Sequence, residues 1–95
     1  MKVHDNAAKH RFEITLKDGA VAFADYSIDD DAIAFPHTVV PPHHEGQGIG
    51  SALAKAALQS ARERGLKVRP QCSFFVTYMR RRPDTHDLLA EGERL

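Results

Sequence analysis

The sequence has 95 residues, of which 42% are hydrophobic and 27% are charged, and its formal net charge is zero. This length and composition predict one small soluble domain over residues 1–95, and the lack of net positive charge argues against a protein that coats DNA or RNA. No apolar run reaches the length of a membrane span, and nothing at the N-terminus reads as a signal peptide.

The first half of the chain predicts three antiparallel strands joined as a meander. Residues 10–17 alternate apolar and polar side chains, as a half-buried strand does. The Asp-Gly pair at 18–19 predicts a hairpin turn into a second strand at 20–28. Three aspartates at 29–31 form the next turn, and a third strand follows at 32–40.

The third strand contains a proline, Pro36. Because proline cannot donate to a sheet ladder, Pro36 is expected at an edge or a bulge, with unpaired backbone groups over 36–40. The alternation predicts that one face of the strand carries Ile33, Phe35, His37 and Val39, and that the other carries Ala34, Pro36, Thr38 and Val40.

The second half predicts a helix, a strand and a second helix. The first helix runs over 48–64 and is closed by Gly65, and the strand at 66–72 should lie parallel to the third strand because a helical crossover joins them. A helix over 73–83 follows, and 84–95 reads as a short helical turn with a frayed tail. The order β-β-β-α-β-α predicts an α+β fold.

Three glycines, Gly46, Gly48 and Gly50, stand where the first helix begins. Glycines at a helix N-terminus let the backbone curve into a nest of N–H donors that binds phosphate. The spacing lacks the Lys-Ser/Thr of a P-loop and the G-x-G-x-x-G of a dinucleotide fold, so as a bare pattern it is weak. Close packing alone is the alternative explanation.

Residues 45–53, EGQGIGSAL, resemble the acetyl-CoA loop of the GNAT superfamily of N-acetyltransferases, Arg/Gln-x-x-Gly-x-Gly/Ala. Together, HTVVPP before this loop and GLKVRPQCSFFVTYMRRRP after it resemble the small single-domain, yjdJ-type subgroup. The resemblance covers nearly the whole chain and is strongest from His37 to Pro83. Glu45 departs from the pattern, which has Arg or Gln at this position. An acid there would repel phosphate unless its side chain turns away or pairs with a base.

The resemblance implies a compact GNAT-like fold that uses acetyl-CoA as co-substrate. Its pantetheine arm would add to the third strand at Thr38, Val39 and Val40. Its pyrophosphate would lie on the backbone N–H groups of Gly46, Gln47, Gly48, Ile49, Gly50 and Ser51. The thioester would then lie between the third and fourth strands.

Three residues are candidates for catalysis. Cys72 precedes a helix start, where a thiolate is favoured, and the resemblance suggests an acyl-accepting nucleophile or an acid on the thioester side. His37 is suited to accept an amine proton. Related acetyltransferases often use a tyrosine at the position of Tyr78 as general acid to the leaving thiolate. Each could instead be a packed residue: a buried free cysteine, a core histidine, or part of the Phe74-Phe75-Tyr78 stripe.

The function predicted from the resemblance is acetyl transfer from acetyl-CoA to an amine, with a protein or peptide acceptor favoured because the short chain leaves the acceptor side open. The alternative is a CoA- or acyl-CoA-binding or interaction module with little turnover. A lone cysteine excludes an internal disulfide and suits a reducing compartment, which predicts a cytoplasmic protein. No metal site is expected, because adjacent side chains at His43 and His44 should diverge.

Charge is unevenly divided along the chain. Residues 1–47 hold eight acidic and four basic residues, whereas 48–95 hold five acidic and nine basic ones. Seven of the bases lie between Arg62 and Arg82. A basic half of this kind suits a small polyanionic ligand such as a nucleotide-containing cofactor, although charge alone slightly favours a solvated basic surface.

Overall fold

The computed structural model describes all 95 residues and contains one five-stranded sheet in the order β1-β2-β3-β4-β5. The strands are β1 (His4–Asn6), β2 (Arg11–Thr15), β3 (Val21–Asp29), β4 (Ala32–Val39) and β5 (Lys67–Pro70). All neighbours are antiparallel except β4 and β5, which are parallel. The predicted meander, the parallel last strand and the α+β class are confirmed.

Two α-helices complete the fold: α1 (Ile49–Glu63) joins β4 to β5, and α2 (Ser73–Arg80) follows β5. Short 3-10 helices lie at Ala7–Lys9, Pro42–His44 and Pro83–Leu88. Helix α1 packs across β2, β3, β4 and β5 and also contacts α2. None of the helices combines the length and apolar character needed to cross a bilayer.

One cluster of 18 buried residues forms the core between the sheet and the helices. At its centre the rings of Phe35 in β4 and Phe75 in α2 stack at 4.3 Å between centroids, 8° from parallel. Leu53 and Ala57 of α1 are fully buried in the same cluster. Both helices therefore pack on the sheet face that carries Phe35, which leaves the opposite face without a helical layer.

A β-bulge interrupts β4 at Pro36. Ala34 pairs with Ser27 and His37 pairs with Asp25, so β4 has one more residue than β3 between these pairs. The expectation that Pro36 lies at an edge or a bulge is confirmed. The extra residue reverses the alternation of faces. The expected grouping of His37 and Val39 with Phe35 is therefore wrong, because both turn away from the core and are exposed.

Two further departures from the predicted elements lie near the chain ends. Strand β1 was not predicted, because three residues are too few to show an alternating pattern. The expected frayed tail is also wrong: after the 3-10 helix Pro83–Leu88, Leu89 bridges Val68 of β5, and the N–H of Ala90 donates to the Val68 carbonyl at 2.9 Å. This pairing covers part of the β5 edge, which would otherwise be open to other chains.

Candidate functional site

Strands β4 and β5 separate at the end of β5. Their ladder ends at the pair Phe35–Pro70, and the N–H of Cys72 then donates to the Phe35 carbonyl at 3.0 Å. The last residues of β4 continue to pair with β3 on their other side. The side of β4 that faces away from β3 therefore has no strand partner from Thr38 onward, which agrees with the unpaired backbone expected near Pro36.

The glycine turn brings free N–H groups to this opening. Gly46 and Gly48 have φ values of +81° and +79°, a left-handed conformation that glycine adopts at little cost. The N–H groups of Ile49, Gly50 and Ser51 have no hydrogen-bond acceptor within the protein, and no side chain caps α1. The positive end of the α1 dipole therefore faces solvent through bare backbone.

Gly50 serves a different purpose from the other two glycines. A Cβ atom at Gly50 would lie 2.7 Å from the Phe74 ring, whereas one at Gly46 or Gly48 would meet nothing within 4 Å. Close packing of α1 against α2 therefore accounts for Gly50. It does not account for Gly46 and Gly48, where the left-handed conformation of the turn itself favours glycine.

The strand opening and the glycine turn form a groove of about 590 Å³, which we call the glycine groove. Its walls are Thr38, Val39, Val40, Glu45, Gly46, Gly48, Ile49, Gly50, Ser51 and Phe74. Of the nine residues predicted to bind the co-substrate, only Gln47 does not line the groove. Its Oε1 instead lies 3.4 Å from Nδ1 of His44.

Cys72 lies beside the glycine groove. It is the N-cap residue of α2, half-buried, and its Sγ is 3.3 Å from Oγ1 of Thr38 in the groove wall. The thiol therefore lies where β4 and β5 separate, as expected from the sequence. No capping hydrogen bond from its side chain to the helix is present.

Comparison with known proteins agrees with this geometry. The family model described as GCN5-related N-acetyl-transferase matches residues 11–88. The chain belongs to this family. Protein NATD1 of Mus musculus is 30% identical over 86 residues, covering 87% of this chain and 77% of that protein. NATD1 of Homo sapiens is likewise 30% identical, covering 87% and 75%.

A solved structure extends the likeness to the whole fold. The solution structure of a GCN5-like protein from Staphylococcus aureus superposes with a TM-score of 0.74 at 28% identity, covering 98% of this chain and 91% of that one. The predicted superfamily and its fold are confirmed. Within this GCN5-related fold, the glycine groove occupies the junction of β4 and α1 that the resemblance indicated.

The other two candidate catalytic residues of this GCN5-related chain lie outside the groove. His37 is on the uncovered sheet face, where 73% of its side chain is exposed and its Nδ1 is 3.9 Å from Oδ2 of Asp25. Tyr78 is buried, and the Arg82 guanidinium lies 3.7 Å above its ring centre. The structure thus places Cys72 against the groove wall residue Thr38, whereas the side chains of His37 and Tyr78 do not line the groove.

Phe74 is a wall residue that the sequence analysis named only as part of a packing stripe with Phe75 and Tyr78, not as a binding residue. It is 38% exposed and lines both the glycine groove and a neighbouring groove of about 390 Å³. That second groove is lined by Ser51, Phe74, Thr77, Tyr78, Arg81 and Arg82. Because consecutive residues of a helix lie about 100° apart, Phe74 lies at the edge of the face on which α2 buries Phe75, Tyr78 and Met79. This offset was the available signal.

The side chains of His43 and His44 do not diverge, so the expectation that they point apart is wrong. Nε2 of His43 and Nε2 of His44 lie 2.8 Å and 2.9 Å from the same oxygen, Oδ2 of Asp18 in the turn between β2 and β3. These hydrogen bonds hold the pKa of the Asp18 carboxyl well below its usual range, and the bond to Asp18 raises the pKa of His44.

Proposed function

We propose that this chain binds acetyl-CoA in the glycine groove and transfers the acetyl group to an amine. The observation that carries the proposal is that one groove joins the free edge of β4 to the free N–H groups of Ile49, Gly50 and Ser51. The first would pair with the amide groups of pantetheine, and the second would donate to a pyrophosphate. Because glycine has no side chain, Gly46 and Gly48 leave room for a pyrophosphate to approach these backbone N–H groups closely.

The surroundings of the groove support a ligand with several phosphates. Phe74 separates the glycine groove from the neighbouring groove, which is lined by Arg81 and Arg82. Neither arginine forms an ion pair with an acidic side chain. These guanidinium groups suit a phosphate distant from the pyrophosphate. Glu45 in the groove wall pairs with no basic side chain and would weaken binding through repulsion.

Bound acetyl-CoA would supply an activated thioester, whose carbonyl carbon forms a bond to the amine nitrogen as the C–S bond breaks. The chain's part is to hold the thioester near the Cys72 thiol and to exclude solvent with the walls formed by Thr38 and Phe74. Two routes fit this arrangement. Either Cys72 accepts the acetyl group first, or the neutral amine attacks directly and loses its proton to solvent or a basic side chain.

The uncovered sheet face suggests the acceptor. Val39 lines the glycine groove and is 43% exposed, and the exposed His37 lies near it on the same strand. No helix encloses a pocket for a small amine on this side. We therefore favour an amine on a protein or peptide. We also propose that the reaction takes place in the cytoplasm, because a lone free cysteine suits a reducing compartment.

Calorimetric titration with CoA tests the proposal through Gly48. We expect wild-type binding in the micromolar to sub-millimolar range, about −5 to −8 kcal/mol. Gly48→Val should weaken it at least about tenfold, since the side chain occupies the groove. Gly92→Val is the matched control, because Gly92 has a similar φ of +86° and open surroundings but lies in the tail. Absence of wild-type binding at millimolar CoA would refute the proposal.

A second candidate is a CoA- or acyl-CoA-binding module with little turnover. The observation in its favour is that neither His37 nor Tyr78 lines the groove, so no basic side chain among the candidates faces the expected thioester. Both candidates predict CoA binding. They differ in turnover, which an assay of CoA thiol release with amine acceptors measures.

A further inference from the structure

Three side chains that the proposed acetyl transfer does not use converge at one end of the sheet. Asp18 lies in the turn between β2 and β3, and His43 and His44 lie in the 3-10 helix that precedes the glycine turn. The two imidazole rings are 4.3 Å apart between centroids, and both direct Nε2 at Oδ2 of Asp18. Twenty-five or more residues of sequence separate the carboxylate from the imidazoles.

The three donor atoms have separations close to those in a metal site. One atom from each residue lies within 4.8 Å of the other two, and both Nε2–Oδ2 distances are under 3 Å. Zinc bonds of 2.0–2.1 Å at tetrahedral angles place ligand atoms about 3.3 Å apart. Small rotations of the exposed Asp18 and His43 side chains would therefore admit an ion between the two nitrogens and the oxygen.

Neighbouring groups orient His44 for this role. Its Nδ1 lies 3.4 Å from Oε1 of Gln47, so an N–H at Nδ1 donates to the amide. Nε2 serves as ligand once the ion displaces the proton that Nε2 donates to Asp18. A hydrogen bond of this kind fixes the ring and tautomer of metal-binding histidines. The consecutive prolines Pro41 and Pro42 limit the backbone just before the two histidines, which reduces the entropy lost on binding.

We propose that Asp18, His43 and His44 bind a divalent transition-metal ion of the zinc type. Two imidazole nitrogens and one carboxylate are a donor set of zinc and its first-row neighbours, and three protein ligands leave a fourth position for water. The set is poor for Mg²⁺ and Ca²⁺, which take mainly oxygen ligands. The exposed fractions, 64% for His43 and 46% for Asp18, give the ion a path from solvent.

A bound ion would cross-link the β2–β3 turn and the 3-10 helix Pro42–His44, two segments that do not pair as strands. The turn carrying Asp18 would be tied to the segment directly before Glu45 and the glycine turn. Because the unfolded chain does not hold these groups together, the ion would bind the folded state preferentially and raise its stability. This effect does not depend on CoA or on acetyl transfer.

Titration of the metal-free protein, carrying no histidine tag, with Zn²⁺ tests the site. We expect wild-type binding of one ion with a Kd of about 10 µM or tighter and a rise in Tm on saturation. We expect binding to weaken at least about tenfold in each of His43→Ala, His44→Ala and Asp18→Asn. Loss of a group that only orients a metal ligand can already cost about tenfold in affinity, and these variants remove a ligand itself. Gln47→Ala should weaken it less than loss of a ligand.

Two controls separate this site from other zinc donors. His4→Ala removes an exposed histidine of β1 outside the cluster and should leave the Kd unchanged. Cys72→Ala removes the thiol and should also leave it unchanged. Absence of Zn²⁺ binding by the wild type up to millimolar ion, equal binding in the Asp18 and histidine variants, or loss of binding in Cys72→Ala would each overturn the proposal.

Discussion

The thiol of Cys72 and the hydroxyl of Thr38 are 3.3 Å apart where β4 and β5 separate. If the thiol takes up the acetyl group, incubation with acetyl-CoA alone should add one acetyl mass to the protein, and hydroxylamine should remove it. Cys72→Ala should abolish both the adduct and transfer, while CoA binding through the glycine groove persists. Intact-protein mass spectrometry measures the adduct.

Cys72 could also take no part in the transfer, and the same experiments would show this. Turnover that persists in Cys72→Ala, with no adduct on the wild type, would show direct attack by the amine. Thr38→Val is a useful companion, because it removes the hydroxyl near the sulfur and keeps the shape of the side chain. An adduct that forms in Thr38→Val as fast as in the wild type would exclude a part for this hydroxyl.

Individual residues differ in how far their sequence neighbours determine them. Gly46, Gly48 and Ser51 were predictable, because a helix start and its glycines are neighbours in sequence. His37 was misplaced, since one bulged residue reverses every side chain that follows in the strand. The contact of His43 and His44 with Asp18 was missed, because it depends on how a distant turn packs against their segment.

At the scale of elements, one ion pair joins the end of α1 to the 3-10 helix Pro83–Leu88. Arg62 donates to both carboxylate oxygens of Asp87, at 2.8 Å and 2.9 Å, and to the Asp84 carbonyl at 3.0 Å. The guanidinium lowers the pKa of the Asp87 carboxyl from its usual 3.8. The pair therefore stabilises the fold above that value, and its contribution is lost as the pH falls below it.

Thermal unfolding of Asp87→Asn should show this dependence. We expect its Tm to be lower than that of the wild type at neutral pH, by a small amount because the pair is exposed. The difference should shrink as the pH falls below 3.8, the usual pKa of the carboxyl. Glu91→Gln is the control, an exposed acid that pairs with no base. A difference for Asp87→Asn that does not change with pH would contradict the assignment.

The order of elements was predictable to the extent that each carries a local pattern. Alternation identified β2, β3 and β4, and the glycine turn marked the start of α1 within one residue. Strand β1 and the pairing of Leu89 with β5 were missed, and one reason explains both. Both are short segments that owe their conformation to an existing sheet edge rather than to their own sequence.

For the whole molecule, the uneven charge of the sequence is partly neutralised by folding. Arg62 pairs with Asp87, and Arg69 lies 3.5 Å from Glu93, so acids of the tail cover bases of the second half. Arg81 and Arg82 pair with no acidic side chain, and both line the groove next to Phe74. Two of the bases that remain unpaired thus line a groove that also contains Ser51 of the first turn of α1, where an anionic ligand would benefit from their charge.

The arrangement of layers leads to a prediction about the acceptor. Both α-helices cover the sheet face that carries Phe35, so the face with His37 and Val39 is open beside the glycine groove. A peptide can contact this face along its length, whereas a small amine can contact only the reacting centre. Because remote contacts lower the barrier when they position the amine, kcat/KM should be at least about tenfold higher for a lysine-containing peptide than for a small diamine.

Release of CoA thiol, measured for both acceptors under the same conditions, checks this expectation. His37→Ala should reduce turnover of the peptide while leaving the calorimetric Kd for CoA unchanged, because His37 lies on the open face and outside the groove. Gly48→Val should reduce turnover of both acceptors to a similar extent at limiting acetyl-CoA, because it weakens binding of the shared co-substrate. Higher kcat/KM for the diamine would show that the open face does not select the acceptor. Binding of CoA without turnover of any amine would identify a binding module, since the glycine groove alone suffices for that function.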